Sequence, residues 1–208
     1  MKVLRLALFA LAGVVAVSAQ TDSTRDALFA AIRSASVAEV ERLLKAGTNP
    51  DIVDGDATPA TVAATLLGAA DLVKHFLARG ADPNRTGSSG TTALMVARPN
   101  LDKVLLLVEG GANVNARSET DRTAFLVAAS YPRTVGLLRL LLARGADLRA
   151  QDRGGATALS LAVRSSDVDV VRFLVERGLD VNTLSANARR VAFMRNDLPT
   201  TEYLMSKA

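Results

Sequence analysis

A glycine recurs along this chain at nearly constant spacing, each time directly after an apolar stretch of helical character. The separations between successive glycines are 33, 31, 34 and 33 residues. The glycines are Gly47, Gly80, Gly111, Gly145 and Gly178. A period of this length is typical of solenoids, in which one supersecondary unit is stacked on the next. The chain is therefore predicted to be a repeat protein and not a conventional single-core domain.

A second marker repeats with the glycines. Threonine followed by proline or alanine occurs at intervals of 34, 31 and 34 residues, beginning at Thr58, Thr92, Thr123 and Thr157. A threonine hydroxyl can accept a hydrogen bond from a free amide in the first helical turn, and proline is tolerated there. Each threonine is therefore predicted to begin the first helix of a unit.

The second helix of each unit is predicted from paired apolar residues at helical spacing. Examples are Leu72, Val73, Phe76 and Leu77, and Val170, Val171, Leu174 and Val175. The glycine that follows is predicted to adopt a left-handed backbone. Asp and Asn after the glycine are predicted to hold the turn by bonding their own backbone. These structural residues are Asp82, Asn84, Asn113, Asn115, Asp147, Asp180 and Asn182.

These motifs resemble the ankyrin repeat. The closing signature is seen in Leu77-Ala78-Arg79-Gly80-Ala81-Asp82-Pro83-Asn84 and again in Leu142-Ala143-Arg144-Gly145-Ala146-Asp147. The resemblance implies an all-α solenoid of helix-turn-helix units joined by β-hairpin-like loops. It implies about five repeats and a degenerate C-terminal cap within residues 20–208. The family's histidine after Thr-Pro-Leu is replaced here by Thr61, Met95, Leu126 and Ser160.

Three places depart from the repeat pattern. The unit that contains Arg98-Pro99-Asn100 is short, and Pro99 is expected to end its first helix early and create a weak point. The first unit, from about Asp22 to Asn49, lacks the Thr-Pro start, as an N-terminal cap does. Residues 183–208 are interpreted as a worn final repeat whose polar outer face carries Arg189, Arg190 and Arg195.

The N-terminal segment has the features of a secretory signal peptide, predicted to span residues 1–19. Lys2 and Arg5 precede a twelve-residue apolar run, and Val17-Ser18-Ala19 provides small residues for cleavage. A retained membrane anchor is the weaker alternative, because a helix needs about 20 apolar residues to cross a bilayer. We therefore expect a periplasmic or secreted protein that has no contact with the membrane after leader removal.

The composition disfavours a catalytic function and a nucleic-acid-binding function. Loss of the leader's two cations lowers the net charge from +4 to +2, and the remaining Lys and Arg residues are interleaved with acids, which disfavours nucleic acid as a partner. The chain has no cysteine and a single histidine, His75. Glycine-rich stretches at 87–90 and 153–155 lack the Lys-Ser/Thr of a phosphate loop. We therefore expect no catalytic residue, no metal and no cofactor.

The resemblance implies that a protein partner binds the concave surface made by the loop tips and the exposed side of each first helix. The partner is unknown, and the chain is expected to be a monomer. An accessory or inhibitor subunit of an exported enzyme is the alternative interpretation, and an enzyme in its own right is a third. The candidate partner-binding residues are Asp54, Asp56, Arg85, Arg117, Glu119, Arg122, Tyr131, Gln151, Arg153 and Arg164.

Overall fold

A computed structural model of the chain describes residues 22–97, 100–184, 190, 193–194 and 197–207. The predicted signal peptide 1–19 lies outside the described residues. So do Pro99, Arg189 and Arg195, together with the expectations that rest on them.

Pairs of consecutive helices make up the stack, in agreement with the predicted solenoid, and the described residues contain five such pairs. The first helix of each pair is called helix A and the second helix B. The pairs, which define repeats 1 to 5, are α1 (22–33) with α2 (Val37–Lys45), α3 (Ala60–Leu67) with α4 (Ala70–Ala78), α5 (Ala93–Val96) with α6 (Leu101–Glu109), α7 (Ala124–Ala129) with α8 (Val135–Ala143), and α9 (Ala158–Ser165) with α10 (Val168–Glu176). A 3₁₀ turn (Val181–Thr183) and α11 (Leu198–Lys207) follow.

The core runs along the stack between equivalent helices of adjacent repeats. Helices A pack on helices A, as α3 does on α5 and α7 on α9, and helices B pack on helices B. The predicted stripes are confirmed, because Leu72, Val73 and Phe76 of α4 are fully buried. Burying apolar area between neighbours is the main stabilising term in such an array. A single repeat could not bury its own faces.

The five recurring glycines have the predicted left-handed backbone. Their φ angles lie between +79° and +94°. At Gly80 the amide donates to Leu77 O, and the following Ala81 amide donates to Phe76 O. These bonds satisfy carbonyls that the end of α4 would otherwise leave unpaired. The glycine therefore ends helix B and turns the chain toward the next loop.

The predicted start of helix A at a threonine is confirmed at three repeats and wrong at one, and the threonine hydroxyl makes the capping bond at two of them. Thr123 accepts from the Leu126 amide, and Thr157 forms a reciprocal capping box with Ser160. Thr92 stands at the N-cap of α5, but its buried hydroxyl has no hydrogen-bond partner among the described residues. Thr58 is not the cap of α3, because that position is held by Pro59.

The prediction for the first threonine is therefore one residue out of register. Pro59 makes the same isolated bridge, to Val53, that Thr92 makes to Thr86 and Thr157 makes to Gln151. The structural period is then 33, 31 and 34 residues. In this register Val62, and not Thr61, is the counterpart of Met95, Leu126 and Ser160.

The connections between repeats are hairpin-like, as expected, each closed by few backbone bonds. In the loop between repeats 2 and 3, Gly87 N donates to Thr91 O and Gly90 N donates to Gly87 O. The other three loops repeat these bonds with Asp54, Ser118 and Asp152 in the place of Gly87. Within the described residues the pairing does not extend into continuous strands. The four loops thus present their tips in the same way.

Some of the Asp and Asn residues after each glycine hold their own turns, as predicted, and others instead join neighbouring repeats. Asp82 accepts from the Asn84 amide in its own loop at 2.8 Å, as predicted. Asn84 instead reaches the next repeat, accepting from Asn113 N and donating to Gly111 O. Asn115 does the same with Asp147 N and Gly145 O. These side chains form a ladder that connects successive loops.

The ladder is incomplete at the first loop. Asp51 Oδ1 accepts from Asp82 N at 2.9 Å, but a carboxylate has no N–H for the carbonyl of Gly80. Asp51→Asn should add that donor and raise the free energy of unfolding by about 0.5–1 kcal/mol. Urea denaturation followed by circular dichroism measures the change. Asp56→Asn, at an exposed tip, is the matched control, and an equal gain from both variants would contradict the ladder interpretation.

Repeat 3 has the shortest described helix A, because α5 is four residues long. Its helix B carries Lys103, which is buried and whose ammonium donates to Thr65 O at 2.7 Å. Thr65 lies near the C-terminal end of α3, where free carbonyls attract a cation. Lys103 thus ties the short repeat to the one before it.

Burial lowers the pKa of the Lys103 ammonium. The folded chain then holds this proton less tightly than the unfolded chain, in which a lysine pKa is about 10.4. Stability should therefore rise as the pH passes from the folded pKa up to about 10.4. Relative to Lys103→Met, the wild type should become more stable between about pH 7 and pH 10.5 in urea denaturation. Lys74→Met, at an exposed position, is the matched control, and an equal trend relative to both variants would contradict the assignment to Lys103.

The C-terminal segment closes the stack through α11, which packs on α10. Thr200 and Leu204 are buried in this contact. The expectation of a polar outer face needs correction. Arg190 is exposed, but so are four large apolar side chains: Phe193, Met194, Leu198 and Met205.

Candidate binding surface

The loop tips and helices A of repeats 2 to 4 enclose an apolar pocket with a volume of about 330 Å³. Its polar side is formed by loop residues that include Ser89, Thr91, Ser118, Glu119, Thr120 and Arg122. Its apolar side comes from helices A and the turn after α7: Leu66, Met95, Val96, Val127 and Tyr131. Leu66 is 46% exposed although it lies on a helix. Its exposure is explained by its place at this pocket and not in the core.

A second, polar pocket of about 330 Å³ lies one repeat further along. It is lined by Arg122, Ser130, Asp152, Leu161, Arg164 and Ser165. Arg122 lines both pockets, so the two adjoin. Together they are called the groove below. Each volume lies at the lower end of the range of about 300–1,000 Å³ that is common for ligand pockets.

Four of the ten predicted binding residues meet in the groove. Glu119 and Tyr131 line the apolar pocket, Arg164 lines the polar pocket, and Arg122 stands between them. The remaining six do not line either pocket: Asp54, Asp56, Arg85, Arg117, Gln151 and Arg153. Asp56 and Arg85 are exposed at their tips.

Several of these six residues have structural contacts that the sequence did not reveal. Asp54 Oδ1 accepts from the amides of Asp56 and Thr58 and so holds its own loop. Asp152 Oδ1 has the same role in the loop between repeats 4 and 5, with the amides of Gly154 and Ala156. Each of these two aspartates lies four residues before the residue that precedes the N-cap of helix A, Thr58 or Ala156. This spacing is the sequence signal that could have identified them.

The arginines and tips of neighbouring loops also bind one another. Arg117 Nη1 donates to Gln151 O at 3.1 Å. Arg153 N donates to Thr120 O, and Glu119 N donates to Ser89 O. These bonds fix adjacent tips side by side. The groove therefore has a preorganised wall, which reduces the entropy lost on binding.

The guanidinium of Arg122 contributes a positive charge to the groove. Its Nε is buried and has no hydrogen-bond partner among the described residues, and none of the ion pairs in the described residues includes it. Leaving a buried donor unpaired costs about 1–3 kcal/mol. The acidic residues that line the two pockets are Glu119 and Asp152, and Asp152 is already bonded to its own loop.

Sequence reasoning missed the apolar part of the groove. Leu66 and Val127 lie on helices A, where an apolar residue is predicted to face the core. Met95 is buried in the core, as predicted, but its side chain also lines the pocket. Met95 stands where the family has its histidine, and that substitution is the one sequence signal that pointed to it.

The described part of the chain shows no group of three or more His, Asp or Glu side chains placed to hold a metal ion. Among the same residues, no helix is long and apolar enough to cross a bilayer.

Comparison with known families agrees with this geometry. The model for ankyrin repeats matches three overlapping stretches, residues 28–118, 60–152 and 93–185. The chain belongs to the ankyrin-repeat family. Ankyrin repeats in general serve as scaffolds for protein–protein interaction and not as catalytic units, so a protein partner is indicated.

Curated relatives match the repeats over part of their length. Ankyrin repeat and SOCS box protein 6 of Homo sapiens is 38% identical over 109 residues, 48% of this chain and 26% of the relative. L-asparaginase of Dirofilaria immitis is 31% identical over 153 residues, 71% of this chain and 26% of the relative. A putative ankyrin repeat protein of Rickettsia felis is 30% identical over 129 residues, 60% of this chain and 42% of the relative. The chain thus spans about a fifth to two fifths of such relatives.

Proposed function

We propose that this ankyrin-repeat chain binds a partner protein in the groove of repeats 2 to 5 and does so outside the cytoplasm. The observation that carries the proposal is the apolar pocket itself. Leu66, Met95 and Tyr131 line a concave, preorganised surface. Apolar and aromatic groups at the centre of a polar rim are typical of interface hot spots.

Tyr131 is the expected anchor of the interface. It is half-buried in the turn after α7, and its ring lines the apolar pocket. The backbone around it is fixed, because the Thr134 hydroxyl donates to Tyr131 O and Ala128 O. An aromatic side chain held in this way loses little conformational entropy on binding. Truncating such an anchor typically costs about 2 kcal/mol or more.

A photo-crosslinking amino acid placed in the groove tests the binding proposal in cells. Thr120 lies in the wall of the apolar pocket and is exposed. Glu176, exposed at the end of helix B α10 and outside both pockets, is the matched control. We expect a protein adduct from position 120 that is absent from position 176 and is lost with Tyr131→Ala. Identical adducts from both positions, or none from position 120, would count against the groove.

Action outside the cytoplasm is supported by the leader-like segment at residues 1–19. N-terminal sequencing of the protein from fractionated cells tests it. We expect a chain that begins at Gln20 in the periplasmic or secreted fraction. A chain that retains Met1 in the cytosol would overturn the localisation and leave the groove untouched.

The proposal includes a monomer that does not bind nucleic acid. The interleaving of Lys and Arg with Asp and Glu supports the second of these properties. Light scattering after size-exclusion chromatography should give the mass of one chain. A stable dimer would contradict the proposed monomer, because part of the chain's surface would then be buried between two copies.

A further inference from the structure

The groove has an order of chemistry along its length, and this order specifies the kind of segment that fits it. The apolar pocket is followed by Arg122 and then by the polar pocket with Ser130, Arg164 and Ser165. We infer that the groove recognises an extended peptide segment in which a large apolar side chain and an aspartate or glutamate lie within a few residues of each other. This inference rests on the proposed function and specifies the partner's chemistry.

Charge complementarity at Arg122 carries the acidic half of the motif. The guanidinium has no ionic partner among the described residues, and its Nε–H is buried and unpaired there. A carboxylate that enters between the pockets lets the guanidinium turn and bind it through Nε and one Nη side by side. Binding therefore forms an ion pair with two hydrogen bonds, and it gives a partner to the Nε–H that is unpaired in the free chain.

Neither acid of the groove forms an ion pair with Arg122 in the part of the chain that the structure describes. Asp152 Oδ1 is held by the amides of Gly154 and Ala156. Glu119 lies on the rim of the apolar pocket, away from the polar one. A second acid in the segment, placed beside Glu119, is therefore disfavoured. The apolar side chain accordingly occupies the apolar pocket, and the carboxylate lies at Arg122.

The apolar half of the motif follows from the lining and size of its pocket. Leu66, Met95, Val96 and Val127 present carbon surface, and the volume of about 330 Å³ admits a large aliphatic or aromatic side chain. Met95 and Leu66 are unbranched at Cβ and can adjust to the shape of the side chain that enters. Backbone groups of the segment would face the tips, where Ser89, Thr91 and Thr120 supply hydroxyls.

A library of random decapeptides displayed on phage and selected on the purified chain provides the probe. The expected result is enrichment of peptides in which a large apolar residue lies within a few residues of an Asp or Glu. For a synthetic peptide from this set, Arg122→Gln should weaken binding at least tenfold in fluorescence anisotropy. Replacing the peptide's Glu by Gln should weaken binding to the wild type but have little further effect on Arg122→Gln. Such a double-mutant cycle isolates the contact between the two groups.

Two further variants keep the test decisive. Arg144→Gln removes an exposed arginine outside both pockets and should bind like the wild type. Arg122→Lys retains the charge without the planar fork and should bind with intermediate affinity. The variants' urea midpoints establish that they are folded.

The inference is overturned if no peptide is enriched, if the enriched peptides lack an acid, or if folded Arg122→Gln binds within twofold of the wild type. Its failure is separable from that of the proposed function. Should position 120 still capture a protein while the peptides lack acids, groove binding stands and only the chemistry assigned to the partner is wrong.

Discussion

Phe125→Ala is expected to lower the free energy of unfolding by about 3–5 kcal/mol, one of the two largest effects predicted for this chain. Phe125 lies in helix A α7, and its side chain is fully buried in the larger core cluster. Truncation removes the burial of an aromatic ring and leaves a cavity, because the packed helices on either side cannot close on it. The cost therefore exceeds the transfer free energy alone.

The position of Phe125 in the stack increases the effect of its truncation on the stability of the chain. Helix α7 packs on α5 before it and on α9 after it. Stability in a solenoid is a sum of repeat and nearest-neighbour terms, so one weak repeat weakens two interfaces. We expect the unfolding transition of the variant to broaden or to separate into two steps, with repeats 1 and 2 and repeats 4 and 5 responding differently.

Circular dichroism in urea measures this effect directly, since the chain has no tryptophan to report on unfolding by fluorescence. With a urea slope of about 2 kcal/mol/M, a loss of 3–5 kcal/mol moves the midpoint down by roughly 1.5–2.5 M. Phe193→Ala is the matched control, because it removes the same ring from a position that is 73% exposed. If the two variants shift the midpoint equally, the assignment of Phe125 to the core is wrong.

The periodic portion of the fold is predictable from sequence because the same residue types recur at equivalent positions in each repeat. Gly80 and its counterparts identify the end of helix B by a property that only the backbone requires, a left-handed φ. The register at Pro59 is less secure, because threonine and proline are adjacent there and either can precede the first helical turn. Only the bridge between Val53 and Pro59 decides between them.

The groove is harder to predict because it depends on contacts between repeats. Asn84 and Asn115 are correctly predicted as structural residues, but the predicted local bond is wrong, because their bonds to the next repeat depend on the stacking distance of the units. The same holds for Arg117, whose partner Gln151 is 34 residues away. Sequence places both Arg117 and Arg122 at loop tips. Only the stacked loops distinguish the arginine that ties tips together from Arg122, whose Nε has no partner among the described residues.

Gly68→Ala is expected to destabilise the chain by about 2–3 kcal/mol for a purely steric reason. Gly68 follows α3 in extended backbone that any residue can adopt. A Cβ at this position would overlap Leu72 Cδ1 and lie 2.8 Å from Ala64 O. Leu72 is fully buried and Ala64 O accepts the Gly68 amide, so neither can withdraw without loss.

The close packing around Gly68 also affects the groove, because the last turn of α3, which Gly68 follows, places Leu66 at the apolar pocket. Gly55→Ala is the matched control: a Cβ there meets nothing within 4 Å, and the change should leave the urea midpoint unchanged or slightly higher. Leu72→Ala in the Gly68→Ala background should cost less than the two single losses added together, since the smaller side chain relieves one clash. Full additivity of the two losses would mean that the connection between α3 and α4 accommodates the alanine by another movement. Gly68 would then not be the contact that sets the separation of the two helices.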